Sequence, residues 1–191
     1  MKTRKATLDK KEQILLKSLI GTKLLSLKHQ SLWTDNKTSP KIGILTEKGI
    51  VSVEIKDKKI GDLFGPKIEF PELQFYPVQK EEDLDINREI ADFRSFPVNE
   101  VIEDILLIDE IVPQKDGSFL ESTEGILLKT PAIEYAFCKA KPMQGKDIQI
   151  FADSDVLPEL KPLYKRWPLL AREDTTAQRK LISLSDNEEK K

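Results

Sequence analysis

Residues 41–55 read KIGILTEKGIVSVEI, and this stretch sets the expectation for the fold. Segments rich in isoleucine and valine lie on both sides of Glu47-Lys48-Gly49, as in two strands joined by a tight turn. Gly49 is placed to take the positive φ that a bulge-type hairpin turn requires. The stretch therefore predicts a β-hairpin with its turn at residues 47–49.

A second stretch, STEGILLKT at residues 122–130, resembles the first. Thr123 aligns with Thr46 and Gly125 with Gly49, with a one-residue insertion in the first copy. The surrounding elements also come in the same order, so the resemblance predicts a second hairpin and an internal repeat. The alternative is chance, because glutamate and glycine are common in hairpin turns.

The N-terminal segment predicts a helix over residues 8–20, where leucine and isoleucine recur at helical spacing. Asp9 is a suitable N-cap with Glu12 three residues later, and Gly21 is a natural stop. The first several residues are expected to be loose.

In residues 23–33 the apolar side chains recur with a period of two, which predicts a strand. Its expected faces are Leu25, Leu27 and His29 on one side, with Leu24 and Ser26 on the other.

Further strands are predicted along the chain. Residues 68–79 are extended and aromatic, and their two prolines restrict them to an edge or irregular strand. Residues 101–112, VIEDILLIDEIV, predict a central strand, although their apolar positions also fit a helix. Residues 132–139 and 147–151 predict two more strands, and TTAQRKLISL (175–184) is expected to add a turn or two of helix.

Together these patterns predict an α+β fold that is mainly antiparallel β, with two related β-meander or hairpin units and an N-terminal helix. The expected organisation is one compact domain. Its parts are an N-terminal helix packed on the body (1–22), a first β unit (23–79), an acidic connector (80–100), a second β unit (101–152), a proline-rich C-terminal segment packed across the body (153–184) and a disordered tail (185–191).

The net charge of −2 conceals an uneven distribution. Residues 1–67 hold 15 Lys/Arg and 7 Asp/Glu, whereas residues 68–125 hold 4 and 16. These blocks either neutralise each other in the fold or present separate basic and acidic surfaces to a partner. Candidate partner-binding residues are the acidic Glu81, Glu82, Asp83 and Asp85 and the aromatic-basic Tyr164, Lys165, Arg166 and Trp167.

The inventory of reactive side chains is small. Cys138 is the only cysteine and His29 the only histidine, so an internal disulfide and a structural zinc site are excluded. Both residues lie in apolar strand patterns and are interpreted as structural. The acidic groups of residues 82–85 and 153–159 lack the glycine that calcium loops use to turn. No cofactor and no metal are expected.

The preferred hypothesis is a non-catalytic cytoplasmic binding or interaction protein, with an acidic central surface, a basic N-terminal third and an unidentified protein partner. No signal peptide and no membrane span are expected. One alternative is a hydrolase-type enzyme that uses carboxylates of the 101–112 strand, namely Asp104, Asp109 or Glu110. A second alternative is nucleic-acid binding through residues 163–167, where aromatic and basic side chains interleave.

Overall fold

The computed structural model describes residues 3–30, 38–60, 68–84, 93–113, 117–140, 147–160 and 177–186. These residues form one α-helix, twelve strands and two 3₁₀ turns, at Glu81–Leu84 and Leu157–Glu159. In chain order, the helix and the strands are β1 (Thr3–Ala6), α1 (Lys10–Lys17), β2 (Lys23–Gln30), β3 (Thr38–Ser39), β4 (Lys41–Thr46), β5 (Gly49–Ile60), β6 (Ile68–Val78), β7 (Phe93–Val101), β8 (Asp104–Pro113), β9 (Phe119–Lys129), β10 (Glu134–Lys139), β11 (Ile148–Asp153) and β12 (Gln178–Ser183). Within this part of the chain, no helix has the length and apolar character needed to cross a bilayer.

The strands form two sheets. The five-stranded sheet has the order β6-β5-β4-β2-β7 and is antiparallel throughout. The seven-stranded sheet has the order β12-β8-β9-β10-β11-β3, and β1 pairs in parallel with the first part of β9. This architecture confirms the prediction of a mainly antiparallel β fold with an N-terminal helix.

Both sheets and the helix bury side chains in one hydrophobic core. Leu16 comes from α1, Ile44 and Val53 from the five-stranded sheet, and Ile126 and Phe137 from the seven-stranded sheet. Apolar burial of this kind is the main favourable contribution to folding. The two sheets are therefore stabilised against each other and are not independent layers.

The seven-stranded sheet also carries a smaller cluster on its other face. Leu127 and Cys138 belong to this cluster and lie next in sequence to residues of the main core, so they point to the opposite side of the sheet. Val156 and Leu160, which follow β11, pack against them. The start of the C-terminal segment thus covers part of this outer face.

Several local predictions are confirmed. α1 begins after Asp9, which caps the N–H of Glu12 while the Glu12 side chain accepts from the N–H of Asp9. Gly21 has φ of +76° after the helix, and Gly49 has φ of +138° at the β4–β5 turn. β6 lies at the edge of its sheet, and β8 is a strand with neighbours on both sides rather than a helix.

The predicted second hairpin is wrong. β9 continues through Gly125 without a turn, and Gly125 lies opposite Ile108 on β8 and Cys138 on β10. A Cβ atom on Gly125 would lie 2.4 Å from Sγ of Cys138, so close strand packing rather than a turn requires this glycine. Because the two aligned glycines have different roles, the internal duplication is not confirmed.

The expected faces of β2 are also wrong, because the strand contains a bulge between Leu24 and Ser26. Leu25, at the bulge, is exposed, while Leu24 and Leu27 are both buried in the core. A bulge adds one residue to a strand and shifts the alternation of side chains beyond it. Leu24 and Leu27 can then share the buried side of the sheet.

Four strands occur where none was expected, and one of them is the two-residue β3, which pairs with β11. Within TTAQRKLISL, predicted as helix, β12 pairs with β8. Within the range assigned to the acidic connector, β7 pairs with β2. The N-terminal residues that were expected to be loose form β1. The predictions for Asp85, for residues 163–167 and for residues 187–191 of the tail lie outside the described residues.

Candidate functional site

A cavity of about 490 Å³ opens between the two sheets. β2 and β7 contribute to one wall and β10 and β11 to the other. Its surface is mainly apolar and includes Leu27, Phe96, Tyr135, Phe137 and Ile150. Cavities of this size with a few polar groups are the usual form of small-molecule sites in proteins. This cavity is the candidate functional site.

His29 is placed in the cavity wall by the end of β2. The residue is only 3% exposed, and its ring stacks on Phe96 with a centroid separation of 5.2 Å and an interplanar angle of 6°. Phe96 lies on β7, the strand that pairs with β2, and is 46% exposed. The pair presents one buried polar ring and one accessible aromatic ring to the cavity.

Tyr135 supplies a second polar group. Burial raises the pKa of its hydroxyl, and the nearby carboxylate of Glu100 raises this pKa further. The hydroxyl is therefore protonated at neutral pH and can donate or accept a hydrogen bond. Glu100 is itself held in position, because it accepts a hydrogen bond from the hydroxyl of Thr130.

The charge of the cavity comes from an acidic group. Asp153, at the end of β11, is the one carboxylate among the lining residues of the described chain, and none of these residues is lysine or arginine. Its Oδ1 accepts a hydrogen bond from the backbone N–H of Ser154 at 2.6 Å. The cavity therefore combines aromatic walls with an acidic residue.

The three candidate carboxylates of β8 do not form a shared site. Oδ1 of Asp104 accepts hydrogen bonds from two backbone N–H groups, at 2.7 and 3.2 Å. Asp109 is buried and accepts the hydroxyl of Thr123 at 2.7 Å. Glu110 is buried and accepts two hydrogen bonds from Arg179, at 3.0 and 2.6 Å. Asp109 and Glu110 are successive strand residues and so point to opposite faces. None of the three lines the cavity.

The acidic turn (residues 81–84) is fixed to the five-stranded sheet. Leu84 is buried over Gly43, and Glu81 forms an ion pair with Lys28 of β2. Glu82 and Asp83 are exposed. Glu82 and Asp83 are thus the members of the predicted acidic patch that the structure places on the surface. Glu81 instead takes part in an intramolecular contact.

A buried ion pair within the seven-stranded sheet lies away from the predicted sites, and its lysine also contacts the five-stranded sheet. Lys139 and Glu124 are both fully buried, with 2.9 Å between Nζ and Oε1. Nζ of Lys139 also donates to the carbonyl of Pro71 on β6 at 3.3 Å and lies 4.8 Å from the centre of the Phe70 ring. The hydroxyl of Ser122 donates to Glu124. Buried ion pairs persist when such additional contacts surround them.

The single histidine and the single cysteine are not brought together. His29 lines the cavity, whereas Cys138 packs in the cluster on the outer face of the seven-stranded sheet. Across the described ranges, no group of three or more His, Cys, Asp or Glu side chains is arranged to hold a metal ion. His29 and Cys138 therefore do not form a Cys–His pair.

No protein-family model, no curated protein and no solved structure matches this chain. The candidate site consequently depends on its own geometry. Sequence reasoning missed Phe96 and Tyr135 as site residues. A signal existed for Tyr135 and Phe137, since they are two positions apart in a predicted strand and share one face. No comparable signal marked Phe96, because Pro97 obscured the strand that contains it.

Proposed function

We propose that this protein is a non-catalytic binding protein whose cavity between the two sheets takes a small, largely apolar ligand. The observation that supports this most is the volume of about 490 Å³ with mainly apolar walls. The polar groups of His29, Tyr135 and Asp153 would orient the ligand. The single, buried cysteine fits a reducing compartment, and we propose a cytoplasmic location.

The enzyme alternative receives less support. Asp109 and Glu110 each have a structural partner and lie on opposite faces of β8. Paired carboxylates in acid–base catalysis must reach the same reacting group. A hydrolysis screen in which activity is lost in Asp109→Asn, with the fold intact, would restore this alternative.

The cavity can be tested with the neutral fluorescent probe N-phenyl-1-naphthylamine. Titration of the protein is expected to give a saturable rise in probe emission. Ile133→Trp enlarges a side chain at the cavity and should weaken probe binding about tenfold by occluding it. Leu181→Trp is the matched control. Leu181 is exposed to a similar extent as Ile133, 45% against 36%, but does not line the cavity. Equal probe binding by wild type and both variants would reject the cavity as the site.

A second candidate function is docking of a protein partner on the acidic turn. The supporting observation is that Glu82 and Asp83 are exposed on a turn that Leu84 and the Glu81–Lys28 ion pair hold in place. Charge on such a fixed surface promotes encounter with a basic partner. The nucleic-acid alternative depends on residues 163–167, which the structure does not describe.

Affinity capture from host lysate, with and without nuclease, separates these two alternatives. The test variant combines Glu82→Lys with Asp83→Asn. The asparagine keeps a side-chain oxygen that can accept the 3.1 Å hydrogen bond from the N–H of Lys80. The control, Glu47→Lys with Glu103→Gln, changes the net charge by the same amount at other exposed positions. We expect a nuclease-resistant protein whose recovery falls only in the test variant. Recovery that depends on nuclease would favour nucleic acid.

A further inference from the structure

The cavity walls are favourable for a positively charged ligand, and this inference rests on the proposed binding function. The rings of Phe96, Tyr135 and Phe137 all contribute to the lining. Aromatic faces carry partial negative charge and attract ammonium groups, most strongly when water is excluded. Phe96 is 46% exposed and Tyr135 is half-buried, so these two rings are the ones that a ligand can reach.

The charged groups around the cavity have the same preference. Asp153 lines it, and Glu100 lies close enough to Tyr135 to influence its hydroxyl. Neither lysine nor arginine is among the lining residues of the described ranges. An anionic ligand would meet these carboxylates, whereas a cationic ligand would be complementary to them.

The edge of the cavity is unsuited to a peptide strand. β7 is the edge strand of its sheet, and an open edge can pair with an added strand. This edge contains Pro97, which has no N–H to donate, and Asn99, which has φ of 60°. Prolines and irregular backbone are the features that prevent edge pairing. A small molecule therefore fits this site better than a polypeptide.

We propose that the cavity binds a small organic cation of the quaternary or tertiary ammonium class, with its charged head against the aromatic rings and its apolar part against Ile133 and Ile150. Asp153, an exposed residue at the end of β11, is the carboxylate among the lining residues and supplies a charge of opposite sign. The volume of about 490 Å³ is large enough for an ammonium head with a short apolar chain or ring.

The first test compares choline with 3,3-dimethylbutan-1-ol, a neutral molecule of the same shape, by NMR titration of the full-length protein. Choline is expected to bind about tenfold more tightly, because the two probes differ only in charge. Phe96→Leu should reduce this preference while retaining apolar bulk. Phe119→Leu, at a position outside the cavity lining, is the control for loss of a phenyl ring.

The second test addresses the carboxylate. Asp153→Asn keeps the acceptor for the N–H of Ser154 but removes the charge, and should weaken choline binding several-fold at low salt. Asp155→Asn removes the same charge at an exposed position outside the lining and should leave choline binding unchanged.

The outcomes distinguish this inference from the proposed function. The inference would be overturned if choline and its neutral analogue bind equally well. It would also be overturned if N-phenyl-1-naphthylamine binds saturably and choline does not bind. Either result would leave a site for an apolar ligand. Absence of binding by all three probes would overturn both. The inference would be supported if the protein prefers choline to the neutral analogue and if Phe96→Leu and Asp153→Asn reduce choline binding. The controls, Phe119→Leu and Asp155→Asn, should leave it unchanged.

Discussion

Gly49 and Gly125 show how one local sequence can serve two structural roles. Gly49 takes a positive φ at a turn, and among the described residues other than its chain neighbours no atom lies within 4 Å of an added Cβ. Gly125 lies within a strand, where an added Cβ would be 2.4 Å from Sγ of Cys138 and 2.7 Å from the carbonyl oxygen of Phe137. The first glycine is required by backbone conformation and the second by close packing.

This difference predicts unequal costs of substitution. Gly125→Ala should lower the free energy of unfolding by about 3 kcal/mol, because backbone atoms of β10 must move. Gly49→Ala should cost about 1 kcal/mol, because residues with a Cβ atom rarely adopt a φ of +138°. Urea unfolding of the two variants measures both values. Adding Cys138→Ala should recover only part of the Gly125→Ala loss, since the Phe137 carbonyl remains; similar losses for both glycines would contradict the packing explanation.

Asp109 gives a prediction about pH. Burial raises the pKa of its carboxyl, and the hydrogen bond from Thr123 offsets only part of this increase. Above the unfolded-state pKa, near pH 4, the unfolded chain releases this proton more readily than the folded protein. The free energy of unfolding therefore falls as pH rises from the pKa of Asp109 in the unfolded chain to its higher pKa in the folded protein. This loss of stability persists at higher pH.

Asp109→Asn should remove this loss while keeping an oxygen that accepts from Thr123. The difference in unfolding free energy, variant minus wild type, is expected to increase from acidic to neutral pH. Urea titrations at several pH values between 4 and 8 measure this difference. Contributions from other carboxylates occur in both proteins and cancel. A difference that is constant across this range would show that burial does not perturb Asp109.

At the scale of elements, features encoded within a few residues could be predicted. The capping box of α1 and the β4–β5 turn are examples, because their hydrogen bonds and φ values depend on adjacent residues. β12 and β7 could not be predicted, since each is defined by pairing with a strand far away in the sequence. The same limit applies to the cavity, where His29 and Phe96 meet Tyr135 of the other sheet.

The helix cap also has a long-range role. Oε2 of Glu12 accepts the N–H of Asp9 at 3.0 Å, while Oε1 accepts the N–H of Phe75 on β6 at 3.0 Å. Asp9→Ala should cost about 1 kcal/mol, the usual value for an N-cap. Glu12→Ala should cost about 2 kcal/mol, because it also leaves a partly buried strand N–H without its acceptor.

Thermal or urea unfolding of Asp9→Ala and Glu12→Ala compares the two costs directly. Glu12→Gln is a useful third variant, since one amide oxygen can replace only one of the two acceptors. Its loss should lie between zero and that of Glu12→Ala. A Glu12→Ala loss no larger than that of Asp9→Ala would show that the contact with β6 contributes little to stability.

For the whole molecule, the uneven charge along the chain is partly neutralised by folding. Lys28 and Lys5 of the basic N-terminal third pair with Glu81 and Glu121 of the acidic block. Arg179, from the C-terminal part, pairs with Glu110. The sequence left open whether these blocks would meet, because the answer depends on which strands become neighbours. These intramolecular pairs leave fewer acidic groups for a partner than the sequence suggests.

The shared core predicts that the two sheets unfold as one cooperative unit. Ile44→Ala removes a fully buried side chain from the five-stranded sheet and should cost about 2–5 kcal/mol. Because Ile44 and Ile126 belong to one cluster, the amide of Ile126 in the other sheet should lose a similar amount of protection in native-state hydrogen exchange. Leu181→Ala, at an exposed position, should leave both sheets unchanged. Loss of protection confined to the five-stranded sheet would instead show two units that fold separately.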